Sequence, residues 1–466
     1  MRKALHIAVG IAVALAMSRL WLIEPSIVAT GSMYPTLLGS HVDLNCTDCG
    51  TRFACDARDD VLPAACPNCG YQVDGTESMT AIDGDRLLIN RAACLLRDPR
   101  RWEVVAFRCP DRPSRICIKR VVGLPGETVE IRAGDLYIDG HIVRKTLSQQ
   151  QALAVPVFDG NHPPHGSEAT HSRWHGQPGS TNWYGGRCDG QVRFVHQAML
   201  PADATAVDQI DWLTYHHRRR GGDSSDVGSV AASVTDQQPY NRDTTRSSIP
   251  TVDVIWECRV RAVGSGRVLF RAGDGVDDFL VRIDTANATA QLLHDGQLVE
   301  TIERNMAEFS SQAQIVVSLV DRQFLFAVAG RPWFRPVNLT PAANARRGVA
   351  EIAAGSGSRP FAIATEGPEL EVWELQVLRD VYYTSASSQT ANRRPAKTVK
   401  LADDEFFVLG DNSAVAADSR FWPAGGGIQR DSLIGKPQVV HRPSRLMSLG
   451  WLRFQVPDLA KIRYIR

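Results

Sequence analysis

The pattern that decides the fold is clearest in residues 116–140, which read ICIKRVVGLPGETVEIRAGDLYIDG. The apolar runs ICIKRVV and TVEI are separated by Gly-Leu-Pro-Gly, and DLYI follows between an Ala-Gly turn and an Asp-Gly turn. Short alternating runs between turn residues are typical of antiparallel β-strands. Similar runs precede this stretch, DRLLIN at 85–90 and WEVVAF at 102–107. The sequence therefore predicts a strand-rich core over residues 82–145.

The composition of the chain is that of a globular protein without a strong charge bias. Its 466 residues contain 52 Lys and Arg against 51 Asp and Glu, a net charge of +1, so nothing favours a nucleic-acid partner. The 37 Gly and 25 Pro indicate frequent turns and a mainly β chain. This length predicts two or three domains.

A second strand-rich region begins at residue 251. In VDVIWECRV, residues 252–260, every second residue from Val252 is apolar, and three of the four residues between them are charged. Several such runs up to residue 395 predict a β-sandwich of the jelly-roll or lectin-like kind. Residues 146–250 are rich in Gly, His and Ser and are predicted to be a loop-rich linker, and residues 446–466 a basic tail.

The N-terminal segment is apolar enough to cross a membrane. Residues 4–23, ALHIAVGIAVALAMSRLWLI, contain only one full charge, Arg19, and match the roughly 20 residues that a spanning helix needs. Arg2 and Lys3 would stay in the cytoplasm, which predicts an anchor over residues 1–23 with the rest of the chain outside. The alternative is a cleaved signal peptide, because Ala14-Leu15-Ala16 resembles an A-x-A cleavage site.

Ser32, in ATGSMYPTL at residues 29–37, is either a turn residue or a nucleophile that uses a base other than histidine. A lysine serves as that base only when neutral, which requires its pKa to fall from about 10.4 towards roughly 7–8 through burial. Lys119 lies in the apolar run ICIKRVV and is the candidate. A lysine in an apolar strand is otherwise more often an edge residue whose ammonium group reaches water.

Four segments, taken in order behind the apolar N-terminus, resemble the successive sequence boxes of bacterial type I signal peptidases. They are ATGSMYPTL, GDRLLINR, IKRVVGLPGETVEI and FFVLGDNSAVAADSRFW. The resemblance covers residues 1–45, 82–145 and 396–436. It implies a β-barrel peptidase core formed by residues 24–45, 71–145 and 396–445, interrupted by insertions. The family's peptidases remove N-terminal signal peptides after small residues, so the implied partners are exported preproteins and membrane lipid. The implied location is the outer side of the bacterial cytoplasmic membrane.

The resemblance also implies roles for single residues, without a catalytic cofactor. Ser32 corresponds to the nucleophile, Lys119 to the general base, and the Ser32 N–H with the Thr30 hydroxyl to the oxyanion-hole donors. Gly84 and Asp85 correspond to a structural turn. The residues that correspond to the supporting GDN…DSR box are Asp411, Asn412, Asp418, Ser419 and Arg420.

One departure from the family pattern concerns the lysine. A serine that hydrogen-bonds the catalytic lysine is usual two residues before the Asp of DSR, and this chain has Ala416 there. Ser413 would replace it if the loop bends differently. The departure favours an alternative function, a membrane-tethered binding protein with a weakened peptidase core. A second alternative, a self-cleaving repressor-type Ser/Lys peptidase, is disfavoured by the anchor and by the lack of a DNA-binding segment.

The cysteines suggest a separate lobe over residues 46–70. Cys46-x2-Cys49 and Cys66-x2-Cys69 have the spacing of a four-thiolate structural zinc site, and each pair is followed by a glycine. Disulfides are the alternative, which an exported location favours. Among the remaining six cysteines, Cys109 and Cys117 are close enough in sequence to meet across a short loop.

Overall fold

The computed structural model describes residues 22–57, 63–73, 81–164, 173–176, 182–189, 191–197, 210–220, 229–241, 248–340, 360–384, 398–422, 426–441, 445–449, 452–456 and 462–465. Residues 1–21, most of the predicted anchor, lie outside this set. Among the described residues, no helix is long and apolar enough to span a bilayer. The predicted anchor boundary at Ile23 is wrong, because Ile23 pairs with Asn90 in a sheet.

The strands before the large insertion are short and largely antiparallel. They are β1 (Ile23–Ile27), β2 (His41–Asn45), β3 (Arg52–Asp56), β4 (Ala64–Ala65), β5 (Gln72–Val73), β6 (Arg86–Asn90), β7 (Val104–Arg108), β8 (Ile116–Gly123), β9 (Thr128–Arg132), β10 (Asp135–Ile138) and β11 (His141–Ile142). Helix α1 (Ala92–Leu96) follows β6, and a 3₁₀ turn, Gly31–Met33, follows β1.

The insertion begins with helix α2 (Leu147–Leu153) and is otherwise mostly strands. They are β12 (Val155–Asp159), β13 (Trp174–His175), β14 (Trp183–Cys188), β15 (Gln191–His196), β16 (Leu213–Tyr215), β17 (Arg218–Arg220), β18 (Ser229–Ala231), β19 (Val254–Val263), β20 (Arg267–Gly273), β21 (Asp278–Asp284), β22 (Thr289–His294), β23 (Gln297–Glu303), β24 (Ala313–Val320), β25 (Gln323–Val328), β26 (Arg331–Pro332), β27 (Val337–Asn338), β28 (Phe361–Glu366) and β29 (Glu369–Arg379). A 3₁₀ turn, Pro239–Asn241, precedes β19, and helix α3 (Ala307–Ser311) precedes β24.

The chain then returns to the core. The last strands are β30 (Val399–Lys400), β31 (Glu405–Leu409), β32 (Ile428–Gln429), β33 (Leu433–His441), β34 (Arg445–Leu449), β35 (Leu452–Val456) and β36 (Arg463–Tyr464), with a 3₁₀ turn, Arg430–Ser432, before β33.

The core is built on one sheet with the order β1-β6-β33-β7-β8-β31-β32, to which β36 adds through β33. A second sheet has the order β11-β10-β9-β30. Both sheets join strands from before and after the insertion, so the insertion interrupts one folding unit. Strand β8 lies inside the large sheet, between β7 and β31, because its apolar residues are buried on both faces.

The insertion forms two sheets that share one hydrophobic core. The first has the order β14-β15-β29-β19-β24-β25-β26 with β12 and β27 alongside, and the second has the order β13-β16-β28-β20-β21-β22-β23. Trp256, Phe270 and Phe361 lie between them with ring centroids 5.7–5.9 Å apart. The described residues of the insertion therefore form two layers of strands around one core.

Two predicted segments are more ordered than expected. Strands β12 to β16 come from the predicted linker 146–250 and pair within both sheets of the insertion. Their sequences, such as the Gly-Gly of β14, lack alternation, so only pairing with longer strands makes them extended. In the predicted basic tail, β34 pairs with β35, and β36 pairs with β33.

The cysteine-rich lobe is larger than residues 46–70. Hairpin β2–β3 begins at His41 and hairpin β4–β5 ends at Val73, and a bridge between His41 and Ile82 closes the base of the lobe. The lobe starts earlier than predicted because β2 pairs with β3 along its whole length.

Candidate active site

The structure brings Ser32 and Lys119 together from segments 87 residues apart. Ser32 lies in the 3₁₀ turn after β1, and Lys119 lies in the middle of β8, opposite Val105 of β7. Lys119 Nζ is 2.7 Å from Ser32 Oγ, to which it donates, and 3.2 Å from the Ile118 carbonyl oxygen. The two side chains are thus in direct hydrogen-bonding contact, which is the geometry that a nucleophile–base pair needs.

The environment of Lys119 favours the neutral amine. Its side chain is almost fully buried, and this desolvation lowers its pKa from 10.5 to about 8. The carboxylates of Asp418 and Asp411 act in the opposite direction, because they stabilise the ammonium form, but burial has the larger effect. An amine with this pKa is partly deprotonated near neutral pH, so it can accept a proton from a hydroxyl.

Thr30 is the predicted partner in the oxyanion hole. Its Oγ1 lies 3.3 Å from Ser32 Oγ, and its backbone is extended, at φ −130° and ψ 156°. The residue is exposed. The arrangement places a hydroxyl donor beside the candidate nucleophile.

Asp411 forms a buried ion pair with a residue that the sequence did not single out for support. Arg120, the neighbour of Lys119 in β8, donates from Nε to Asp411 Oδ1 at 2.8 Å and from Nη2 to Oδ2 at 2.7 Å. Thr36 Oγ1 donates to the same carboxylate at 2.5 Å, and the Trp102 carbonyl accepts from Arg120 Nη1. Local sequence patterns do not relate Arg120 to Asp411, because 291 residues separate them. The burial of Arg120 within an apolar run nevertheless indicates a carboxylate partner.

Asp418 and Arg420 form the second buried ion pair, between residues that the resemblance predicts. Arg420 donates from Nε and Nη2 to the two carboxylate oxygens at 2.8 and 2.7 Å. Its Nη1 donates to Ser413 Oγ at 2.6 Å and to the Thr384 carbonyl at 2.7 Å. Among the described contacts, Ser413 Oγ therefore contacts Arg420 and Thr384 and not Lys119, so it does not replace the hydroxyl that Ala416 lacks.

Asn412 links this box to the nucleophile turn. Its backbone N–H donates to the Ser32 carbonyl at 3.0 Å, and its Nδ2 donates to the Gly31 carbonyl at 3.2 Å. Ser419 Oγ accepts from the Val408 N–H at 2.9 Å, which fixes the end of β31. The loop after β31 thus holds the backbone on both sides of Ser32 Cα.

Gly84 and Asp85 support the far end of the nucleophile segment. A Cβ at Gly84 would lie 1.9 Å from the Val28 carbonyl oxygen, so the two backbones meet where only glycine fits. Asp85 Oδ2 accepts from the Leu38 N–H at 2.9 Å and from Arg463 Nη2 at 2.6 Å. Arg463, in β36, is a contact from the C-terminal region that local sequence patterns do not reveal.

The four cysteines of the lobe converge on one point. Cys46, Cys49, Cys66 and Cys69 are all buried, and their Sγ atoms lie within 4.8 Å of one another. The Cys46–Cys69 and Cys49–Cys66 sulfur pairs are 3.6 and 3.7 Å apart. Cys109, directly after β7, and Cys117, in β8, in contrast form a disulfide.

Comparisons with known proteins identify the core. The sequence profile of the signal peptidase family, peptidase S26, matches residues 69–178 and 363–441. These two segments of the chain are similar to the signal peptidase family. The first match contains Lys119 and the second contains the Asp411–Arg420 box, whereas Ser32 precedes both and residues 179–362 are unmatched.

Three curated relatives agree with this assignment over short stretches. The chain is 37% identical over 71 residues to signal peptidase I V of Bacillus subtilis, covering 15% of this chain and 41% of the relative. It is 35% identical over 80 residues to the probable signal peptidase I-2 of Synechocystis, covering 16% and 35%. It is 37% identical over 86 residues to signal peptidase I of Pseudomonas aeruginosa, covering 16% and 30%. The alignments span less than half the length of each.

Among solved structures, the chain resembles SCLam, a non-specific endo-β-1,3(4)-glucanase from family GH16. The TM-score is 0.29 at 10% identity, over 55% of this chain and 97% of that chain. A likeness at this level supports no inference about the insertion.

Proposed function

We propose that this protein is a type I signal peptidase that removes N-terminal signal peptides from exported preproteins after small residues. The observation that carries the proposal is the 2.7 Å contact between Ser32 Oγ and the buried Lys119 Nζ. Neutral Lys119 takes the Ser32 proton while Oγ attacks the scissile carbonyl carbon, and the Thr30 hydroxyl and the Ser32 N–H stabilise the oxyanion. The protonated lysine then gives its proton to the leaving amine, and water hydrolyses the acyl-enzyme with Lys119 again as base.

We place the reaction at the outer surface of the cytoplasmic membrane. The support is the apolar run that ends at Leu22, ten residues before Ser32, because an extended chain of ten residues reaches at most about 35 Å. The test is cleavage of a preprotein with an A-x-A site by purified full-length protein in lipid, followed by N-terminal sequencing of the product. Cleavage at any other position would contradict the proposed specificity.

The alternative is a membrane-tethered binding protein with a weakened peptidase core, and Ala416 is the observation that favours it. The described contacts of Lys119 Nζ are Ser32 Oγ and the Ile118 carbonyl, so no second hydroxyl orients the amine there. Substitution Ala416→Ser distinguishes the two functions. A weakened core predicts faster cleavage by this variant, whereas an unchanged rate means that the present contacts suffice.

The pH dependence of cleavage follows from the pKa of Lys119, about 8. The ammonium form, which predominates below pH 8, cannot accept the Ser32 proton. We expect kcat/KM to rise about tenfold per pH unit below pH 8 and to level off above it, because the free enzyme's base limits this parameter. The measurement is kcat/KM from pH 6 to 10 on a peptide without titratable groups. A flat profile would mean that Lys119 is not the base.

We also propose that the cysteine lobe binds one structural zinc ion. Tetrahedral coordination at about 2.3 Å places thiolate sulfurs roughly 3.8 Å apart, close to the two measured distances and far from a disulfide bond. The backbone supports the fit, because Gly50 N–H donates to the Cys46 carbonyl and Gly70 N–H to the Cys66 carbonyl in two equivalent turns. Four protein ligands leave no open position for water, so the ion would stabilise the lobe and take no part in catalysis.

Removal of this metal is expected to unfold the lobe without removing the Ser/Lys chemistry. A Cys66→Ser variant should lose about one equivalent of zinc and expose its remaining lobe thiols to titration. Cys188→Ser is the matched control, because Cys188 is an exposed free cysteine outside the lobe, and it should keep the metal. Wild-type protein with no zinc and with four oxidised lobe cysteines would contradict the proposal and indicate disulfides.

A further inference from the structure

The insertion contributes a short turn, Pro239–Asn241, that lies directly against the nucleophile turn. Tyr240 is 2% exposed, and its ring covers Gly31, the residue before Ser32. A Cβ at Gly31 would lie 2.1 Å from Tyr240 Cδ1 and 2.6 Å from Cε1. The ring therefore occupies the space that any other side chain at residue 31 would need.

Two further contacts hold the ring across the nucleophile segment. Its centroid is 4.8 Å from that of Tyr34, at an interplanar angle of 38°, and its hydroxyl donates to the Gly39 carbonyl at 3.4 Å. Aromatic pairs of this kind contribute favourably beyond their buried area. One side chain from the insertion thus contacts both ends of the segment that carries Ser32.

The turn that carries Tyr240 is fastened to the insertion. Arg379, the last residue of β29, is buried and donates from Nη2 to the Asp236 carbonyl at 3.0 Å. The Asp236 N–H donates to the Ile249 carbonyl at 2.9 Å, and the Ile249 N–H donates to Asp236 Oδ1 at 2.7 Å. The position of Tyr240 therefore depends on the folded insertion.

We propose that Tyr240 is a positioning residue for Ser32, so that the insertion completes the peptidase site. This inference rests on the proposed signal peptidase function. Without the ring, the Gly31–Met33 turn becomes more mobile. The 2.7 Å hydrogen bond between Lys119 Nζ and Ser32 Oγ is then formed for a smaller fraction of the time. Small displacements of a nucleophile from its base are costly in rate. Because Tyr240 is buried, its loss is expected to act on kcat and to leave KM nearly unchanged.

The test compares two substitutions at this position in the full-length protein. Tyr240→Ala removes the ring and should lower kcat by about tenfold or more with KM within about twofold. Tyr240→Phe keeps the ring and loses only the 3.4 Å hydroxyl contact, so its kcat should stay within about twofold of wild type. Tyr184→Ala is the matched control, because Tyr184 belongs to the same insertion and is 57% exposed, and it should leave kcat unchanged.

A second measurement tests the mobility of the nucleophile turn without a substrate. Amide exchange of a peptide covering residues 30–38 should be faster in Tyr240→Ala and unchanged in Tyr240→Phe, because the Tyr34 and Leu37 N–H groups are bonded within this segment. Gly31→Ala provides a reciprocal test. Its cost in kcat should be smaller in the Tyr240→Ala background, where the added methyl group has room.

The outcomes separate this inference from the proposed function. If wild-type protein cleaves no preprotein but Tyr240→Ala still speeds exchange over residues 30–38, the peptidase proposal fails and the positioning role stands. Unchanged exchange would overturn the positioning role. A higher kcat in Tyr240→Ala would also overturn the positioning role and would indicate that the Tyr240 ring hinders the site. A raised KM at constant kcat would indicate a substrate contact instead.

Discussion

Substitutions Ser32→Ala and Lys119→Ala are each expected to lower preprotein cleavage by roughly 10⁴-fold or more. The two side chains act as one unit through the 2.7 Å contact between Oγ and Nζ, and neither performs the acyl transfer alone. The double variant should therefore lose little more than either single variant. The measurement is single-turnover cleavage of a preprotein by purified protein, with circular dichroism to show that the fold is kept.

The chain offers matched controls for both substitutions. Ser432 lies in another 3₁₀ turn, Arg430–Ser432, and Ser432→Ala removes a comparable hydroxyl away from Lys119. Lys400 is an exposed lysine on the short strand β30, and Lys400→Ala should cleave normally. Since Lys119→Ala also leaves a cavity in β8, Lys119→Met keeps most of the side-chain volume and should be equally inactive. Normal turnover by Lys119→Met would eliminate the Ser/Lys mechanism.

Substitution Asp411→Ala is expected to destabilise the peptidase core by about 3–5 kcal/mol. Arg120 and Asp411 are each 1% exposed, so the loss of one partner leaves the other charge buried without compensation. Arg120 cannot escape by deprotonation, because a guanidinium stays protonated in proteins. The measurement is the free energy of unfolding of the core by denaturant, obtained from the unfolding transition of the core and not from that of the insertion.

An exposed ion pair of similar geometry provides the control for this prediction. Arg430 Nη2 and Asp98 Oδ2 are 2.9 Å apart, and both side chains are about half exposed. Asp98→Ala should cost no more than about 1 kcal/mol, since water screens this pair. The double substitution Arg120→Met with Asp411→Leu should recover much of the stability, because it removes both charges and fills the space. Equal costs for Asp411→Ala and Asp98→Ala would contradict this account of the buried pair.

The pattern of residues within short windows identifies much of the candidate site. Lys119 in ICIKRVV reads as a strand residue among apolar neighbours, and β8 has that form. The two Cys-x2-Cys-Gly motifs indicate a compact four-cysteine cluster, and their sulfurs do converge. Cys109 and Cys117 do pair with each other. These are local features, because each depends on residues that are neighbours in the chain or that belong to repeated motifs with a known geometry.

Other predictions failed where the outcome depends on distant partners. Strands β12 to β16 look like loop in the sequence, because they become extended only when β28 and β29 offer an edge. Strand β36, predicted as tail, pairs with β33 for the same reason. Ser413 was a candidate partner of Lys119, but the loop after β31 turns it towards Arg420. In each case the competing conformations have similar local preferences, and contacts with residues distant in the sequence decide which one forms.

The sequence by itself determined the mainly β character, the Ser32 and Lys119 candidates and the cysteine knuckles, and its resemblance to the signal peptidase family implied the Asp411–Arg420 box. The signals are periodicity, motif spacing and the order of the family's segments along the chain, none of which requires coordinates. Only the tertiary structure decided that Arg120 meets Asp411 across 291 residues and that Tyr240 packs on Gly31. Such contacts follow from the topology, which brings together backbones that no local pattern relates, and their energies come from burial in the folded state.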